Sequence, residues 1–366
     1  MKHTKHIRLM VPLVAVLALV LSCVDPITLE SEGGDIFFVV EGLVTDHPDD
    51  PIQVRYSYSN AFGSGASRPV PFATVVVFDD LGNAQTLEPK GGGIYESIPG
   101  NDRIVRAPGR TYTLQIRTQE GKTYQSTPAT MFPVAPIEDF RFEERETLVL
   151  NPLGNEVTRF GYDIVSVFQD PAETHDFYRW QYEGTFEIVT KLPAPSEQPG
   201  SDSLNTDPTD PSTPPPTPDC CTLCWRTDFE SDYSELSILD DEFLNGERIE
   251  QTTFFLERDR RFLIRYAFTL RQLSLSQSGY QFWKSLKEQQ ENTGGLFSQE
   301  IGNTQGNIYN VDDPEEVVLG HFGASSVATY DFVFDRTNIQ RFIISDTLIT
   351  DCRNLLRSTA TRPEGF

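Results

Sequence analysis

The sequence predicts a mainly β protein: an N-terminal immunoglobulin-like β-sandwich followed by a second β-rich domain with one clear α-helix. Three observations carry this. Short apolar runs of period two recur between Gly, Pro, Asn and Asp turn signals. A single stretch, residues 277–291, has helical spacing and a matching start and stop. Plentiful aromatic residues, 25 Phe and 13 Tyr among 366 residues, supply apolar volume for packed sheets.

The chain begins with an export signal. Lys2, Lys5 and Arg8 form a positive n-region, Leu9 to Leu21 is apolar apart from Pro12, and Val20-Leu21-Ser22 precedes Cys23. The apolar run is shorter than the ~20 residues a bilayer-spanning helix needs. Residues 1–22 therefore read as a lipoprotein signal peptide and Cys23 as the lipidated residue, whose acyl chains each add about 0.8 kcal/mol of membrane affinity per buried methylene. Residues 23–35, rich in Glu, Gly and Ser, form a polar tether.

The sandwich is expected over residues 36–136. Phe37 to Val40 is a short apolar run, and Val75 to Phe78 leads into the hairpin-type loop Asp79-Asp80-Leu81-Gly82-Asn83. Tyr112, Leu114 and Ile116 alternate with polar neighbours, so one face is dry. Gly91-Gly92-Gly93 reads as a hairpin turn. The order of these pieces resembles the carboxypeptidase-regulatory-like and transthyretin-like sandwiches. The residues are Val40-Glu41-Gly42-Leu43-Val44-Thr45-Asp46, the strand from Pro69 to Val77, and Pro108-Gly109-Arg110-Thr111-Tyr112-Thr113-Leu114. Such modules imply a spacer or binding platform.

The second domain is expected over residues 137–366. Phe160 to Phe168 and Phe177 to Val189 read as strands around the turn at Asp170-Pro171-Ala172-Glu173. Leu192 to Asp219 is Pro, Ser, Thr and Asp with almost nothing apolar, which reads as a surface loop. Phe262, Ile264, Tyr266, Phe268 and Leu270 alternate with their neighbours as a half-buried strand. Ser276 is placed to cap the helix, Asn292-Thr293-Gly294-Gly295 to stop it, and Tyr280, Phe282, Trp283 and Leu286 read as its core face. Asn303 to Val311 reads as loop, and Val317 to Phe322 and Ala328 to Phe334 as strands.

A formal charge of −24 excludes nucleic acid as the main partner, since its binders need a basic face. It also disfavours adsorption to anionic headgroups. Beside Cys23, the cysteines are Cys220, Cys221, Cys224 and Cys352. In an exported chain this even set favours disulfides, with one cluster cysteine tied to Cys352; four thiolates on a metal are the alternative. His47, His175 and His321 form no H-E-x-x-H pattern, and no G-x-S-x-G elbow, P-loop or G-x-G-x-x-G dinucleotide motif is present. No cofactor is implied. Acidic loops with Asp240, Asp241 and Glu242, and with Asp312 and Asp313, are weak calcium candidates, because calcium takes carboxylate oxygens.

Taken in order, several motifs resemble the domain-of-unknown-function family 4249 of bacterial outer-membrane lipoproteins. They are Cys23-Val24-Asp25-Pro26-Ile27, the Val39 to Asp46 strand, Cys221-x-x-Cys224-Trp225, Tyr280-x-Phe282-Trp283 and Asn292 to Phe297. Gly306-Asn307-Ile308-Tyr309-Asn310-Val311, Val318-Leu319-Gly320-His321-Phe322, Cys352 and Arg362 to Phe366 complete the set. The resemblance implies a Gram-negative outer membrane and partnership with a TonB-dependent transporter, as a surface accessory or ligand-binding subunit. Acidic Asp25, Glu30 and Glu32 favour the cell surface. A glycan-directed hydrolase and an adhesion or spacer module are the alternative functions.

Overall fold

The computed structural model describes residues 36–59, 68–69, 72–98, 100–151, 154–191, 222–229, 236–292, Thr304, 306–335, Thr337, 348–349, 351–363 and Phe366. Signal, tether and Pro-rich stretch, and with them Cys23, Cys220 and Cys221, lie outside the described residues.

The fold is mainly β, as the alternating patterns require. The first nine strands are β1 (Phe38–Thr45), β2 (Gln53–Tyr58), β3 (Arg68–Pro69), β4 (Thr74–Asp79), β5 (Ala84–Gly91), β6 (Ile94–Glu96), β7 (Thr111–Arg117), β8 (Thr123–Ser126) and β9 (Ala129–Thr130). They build a wrapped sheet in the order β8-β7-β4-β5-β6-β2-β1, with β3 and β9 as short additions to β2 and β7. Val40, Val54, Tyr56, Val75, Val77, Tyr112, Leu114 and Ile116 point inward and are buried. Burying each such side chain contributes about 1.5–3 kcal/mol.

The next strands are β10 (Ile137–Leu150), β11 (Glu156–Gln169), β12 (Phe177–Lys191), β13 (Leu223–Phe229), β14 (Ser237–Asp240), β15 (Arg248–Glu257) and β16 (Arg265–Leu275). After the helix Gln277–Asn292 come β17 (Ile308–Asn310), β18 (Val318–Ser325), β19 (Val327–Asp335), β20 (Leu348–Ile349) and β21 (Ser358–Thr359). Strands β10, β11 and β15 form one sheet. A second runs β19-β16-β12-β13-β21, with β14 and β20 also on β12. The core between them is strongly aromatic: Phe140, Tyr162, Phe168, Trp180, Tyr182, Phe268 and Phe334 are among its buried residues. Inside it, Arg261 lies 3.1 Å from Asp228, both only 2% exposed, and the Tyr266 hydroxyl donates to Asp228 at 3.0 Å. Burial works against the Arg261 charge, but Asp259 and Asp228 outweigh it and hold the guanidinium protonated.

Sheet pairing crosses the boundary expected at residue 136. Strand β17 pairs with β8 and β18 pairs in parallel with β1, so the two ends of the first sheet both come from the C-terminal half. Asn307 joins these ends. Its side-chain amide donates to the Phe322 carbonyl and accepts from the Phe322 N–H, both at 2.8 Å, while its own carbonyl accepts from Thr127 N–H. The approach is so close that a Cβ on Gly306 would sit 1.4 Å from the Gly320 carbonyl oxygen. Gly320 itself has φ +96° and would push a Cβ to 2.0 Å from the Val40 oxygen. By contact, Phe37–Ser59 and Ser67–Phe366 thus form one unit.

Two other expectations change. The segment 303–311, read as loop, contains β17, because its backbone finds the free edge of β8. The strand expected from Phe262 begins at Arg265; Arg260–Phe262 is a short helical turn capped by the Asp259 carboxylate. The 14-residue β10 carried no clear alternation, and its charged stretch Glu143 to Glu146 is mostly exposed.

Cys224 on β13 is bonded to Cys352, closing a separation of 128 residues. That takes two of the four sulfurs a thiolate metal site would need. The C-terminal segment follows: β21 pairs with β13 and Phe366 packs edge-on against Trp225.

Replacing Asn307 with Ala should lower stability by about 1–3 kcal/mol, the cost of stranding both Phe322 backbone groups. Urea unfolding monitored by tryptophan fluorescence measures it, with Glu120→Ala in an exposed turn as the neutral comparison.

Candidate functional site

A cavity of about 780 Å³ opens between β1, β18, β12, β16 and the helix. Each wall has a sequence origin. Alternation on β1 and β12 turns one set of side chains into a core and the other set, including Glu41, Leu43, Gln181 and Glu183, toward the cavity. The helix begins at Ser276, whose hydroxyl accepts from the Gly279 N–H at 3.1 Å, as its capping position requires. Spacing of three and four residues then puts Phe282, Trp283 and Leu286 on the cavity wall. The core face expected of the helix is thus a cavity face, and Phe282 and Trp283 belong to neither sandwich core.

Aromatic and cationic groups are stacked there. The Arg179 guanidinium lies 3.7 Å from the centre of the Trp283 ring. His321 from β18 stacks on Phe282, with centroids 5.0 Å apart and planes at 23°. Burial, helped by the Arg179 charge, holds His321 down at about 4, so its imidazole is neutral at pH 7.

Opposite stands a carboxylate–guanidinium group. Arg271 of β16 grips Asp50 with both terminal nitrogens, one bond being 3.0 Å. Burial pushes Asp50 up, but its bonds to Arg271 and Thr45 win and hold it low. Arg106 fixes the same loop by donating to the carbonyls of Thr45, His47 and Asp50 at 3.0, 3.2 and 2.9 Å. Burial raises Glu183 despite the Arg271 charge nearby, so it ionises less readily than a free carboxyl group. The cavity therefore offers aromatic faces, donors and acceptors within one space, the composition of a small-molecule binding site.

The acidic loops chosen from sequence separate into two kinds. Asp312 and Asp313 sit beside Glu316, which is paired with Lys122 at 2.9 Å and bonded to the Tyr124 hydroxyl and the Asn310 amide. Asp312 accepts from Thr123 N–H at 3.3 Å, so this acidic loop clasps β8. Asp240 and Asp241 end β14 and meet His175, which the sequence gave no reason to join to them. The Glu242 N–H donates to Asp240 Oδ1 at 3.1 Å. Sequence reasoning also missed Arg179, Arg271, Asp50 and Glu183. For Arg179, Glu183 and Arg271 the only signal was a charge within an otherwise apolar strand, and Asp50, in the loop before β2, gave none.

Because His321 resists protonation only while folded, the unfolded chain binds its proton first as pH falls below 6.5. Stability is thus lost between pH 6.5 and about 4. His321→Gln should flatten that part of the curve, seen as a smaller gap between urea midpoints at pH 7 and pH 4.5.

No curated protein and no solved structure matches the chain. A family profile does, over residues 24–331, which takes in the first sandwich, most of the second, the helix and the whole cavity wall. The chain belongs to the family described as domain of unknown function (DUF4249).

Proposed function

We propose that this protein is an outer-membrane lipoprotein, anchored through Cys23, that holds a small organic ligand in the cavity on behalf of a TonB-dependent transporter. The cavity carries the reading. Its Trp283 and Phe282 rings suit an apolar ligand face, and Arg179, Gln181 and Glu183 suit polar groups on the other side. The export signal and acidic tether supply the membrane address, and the motifs shared with lipoproteins of this family supply the transporter. The transthyretin-like first sandwich serves as platform, since its strands β1 and β2 form one cavity wall.

Cys23→Ser should abolish incorporation of labelled fatty acid and release the protein from membranes. From solubilised outer membranes, the intact chain should co-purify with a TonB-dependent transporter. Acylated, full-length protein that repeatedly arrives without one overturns the partnership. Trp283→Ala should retain the transporter yet lose the compounds that mass spectrometry finds bound to the wild type, by about tenfold, the effect of ~1.4 kcal/mol.

A further inference from the structure

Outside the cavity, two loops at one end of the second sandwich meet in an unusual concentration of charge. Residues 170–176 and 240–247 contain seven carboxylates and no Lys or Arg. Their meeting is fixed by the pairing of β12 with β14, which sets Phe177 opposite Asp240. Backbone and side-chain bonds lock it: Asp176 N–H to Asp241 Oδ2 at 2.9 Å, Asn245 to the Thr174 carbonyl at 2.7 Å, and Gly246 N–H to Asp170 Oδ2 at 2.9 Å. The chain thus spends several hydrogen bonds on holding like charges together.

Asp241 is the decisive residue. Its side chain is fully buried, and Oδ1 has no hydrogen-bond partner. That oxygen lies 3.4 Å from His175 Nε2, which is also 2.7 Å from Asp240 Oδ1. The ligand atoms of these three residues lie within 4.8 Å of one another, and those of Asp170, Asp176 and Asp241 do the same. Two ligands of one tetrahedral zinc ion, each about 2 Å from it, stand about 3.3 Å apart; the 3.4 Å between His175 and Asp241 matches this, and the 2.7 Å contact with Asp240 would open on binding.

We infer that His175, Asp240 and Asp241 form a binding site for a first-row divalent cation such as zinc. His175 Nε2 supplies nitrogen, Asp240 and the unpaired Asp241 Oδ1 supply oxygen, and water completes the shell on the exposed side of His175. Imidazole favours zinc-like ions over magnesium and calcium, which take oxygen. The Asp176 N–H holds the second oxygen of Asp241, and the carboxylates of Asp170 and Asp176 add negative potential behind it. The ion would staple the 170–176 and 240–247 loops beside the start of the helix, where Phe177 stacks on Tyr280 with centroids 4.9 Å apart. This site is independent of the ligand cavity and of the transporter.

The test uses the full chain, stripped with chelator and titrated calorimetrically with Zn²⁺, Ca²⁺ and Mg²⁺ at pH 7.5. One equivalent of zinc should bind and raise the melting temperature, and cobalt should give the visible spectrum of a nitrogen–oxygen site. His175→Ala, at an exposed position that leaves folding intact, should weaken zinc at least tenfold. Asp241→Asn should abolish binding, and Asp312→Asn should change nothing. No zinc binding, or zinc binding indifferent to His175→Ala, overturns the assignment. So does a calcium site of higher affinity that survives His175→Ala and is lost in Asp170→Asn, since it would mean an all-oxygen site.

Discussion

The parallel pairing of β1 with β18 is the constraint on which the architecture depends. Eight consecutive residue pairs, from Phe38 with Val318 to Thr45 with Ser325, join strands 280 positions apart. Without it β1 would be an open edge exposing backbone groups that need partners. With it, strands β10 to β16 and the helix become an insertion between β9 and β17, and β19 to β21 return to the second sandwich after β18. Asn307 then does with a side chain what another strand would do with its backbone, bonding both groups of Phe322. Gly306 and Gly320 are required where backbones touch, because any Cβ would occupy a carbonyl oxygen's space.

The cavity follows from that closure. Each sandwich has filled its interior with its own aromatic and branched side chains, so the surfaces of β1, β18, β12 and β16 that face one another are the outer, polar ones. The helix lies over this cleft and not in a core, and its aromatic stripe covers only part of it. The remaining space contains charges that have lost much of their water. Their responses differ with their neighbours: Asp50 stays ionised against Arg271, Glu183 is driven toward its neutral form, and His321 is kept neutral beside Arg179. The hydrogen-bonded loops of Asp170, His175 and Asp241 concentrate charge at a second place.

Much of the strand pattern was legible. Alternation located β7, β11, β12, β18 and β19 to within a few residues, and capping chemistry located the helix within two. The missed elements share a cause. β10 is exposed along much of its length and turns only its first half, with Ile137, Phe140 and Phe142, to the core; β17 is three residues long and exists because β8 offers an edge. Of the site, Trp283 and His321 were visible as residues but not as neighbours. Asp240 and Asp241 were picked out by composition, whereas His175, 65 positions earlier, reaches them only through the register of β12 on β14. Asp312 and Asp313 looked alike in sequence, and Asp312 turned out to brace β8.

By itself, the sequence determined the β class, the helix, and the existence of a cysteine partner for Cys352. All of these are set by local periodicity, turn chemistry or residue type, which act over a few positions. Only the tertiary structure decided that Cys224 is that partner, that the C-terminal half returns to finish the first sheet, and that the helix lines a cavity. Those outcomes depend on which strand edges and which faces find each other across hundreds of residues. That choice is made by backbone hydrogen bonding and packing between distant segments, where local pattern has no reach.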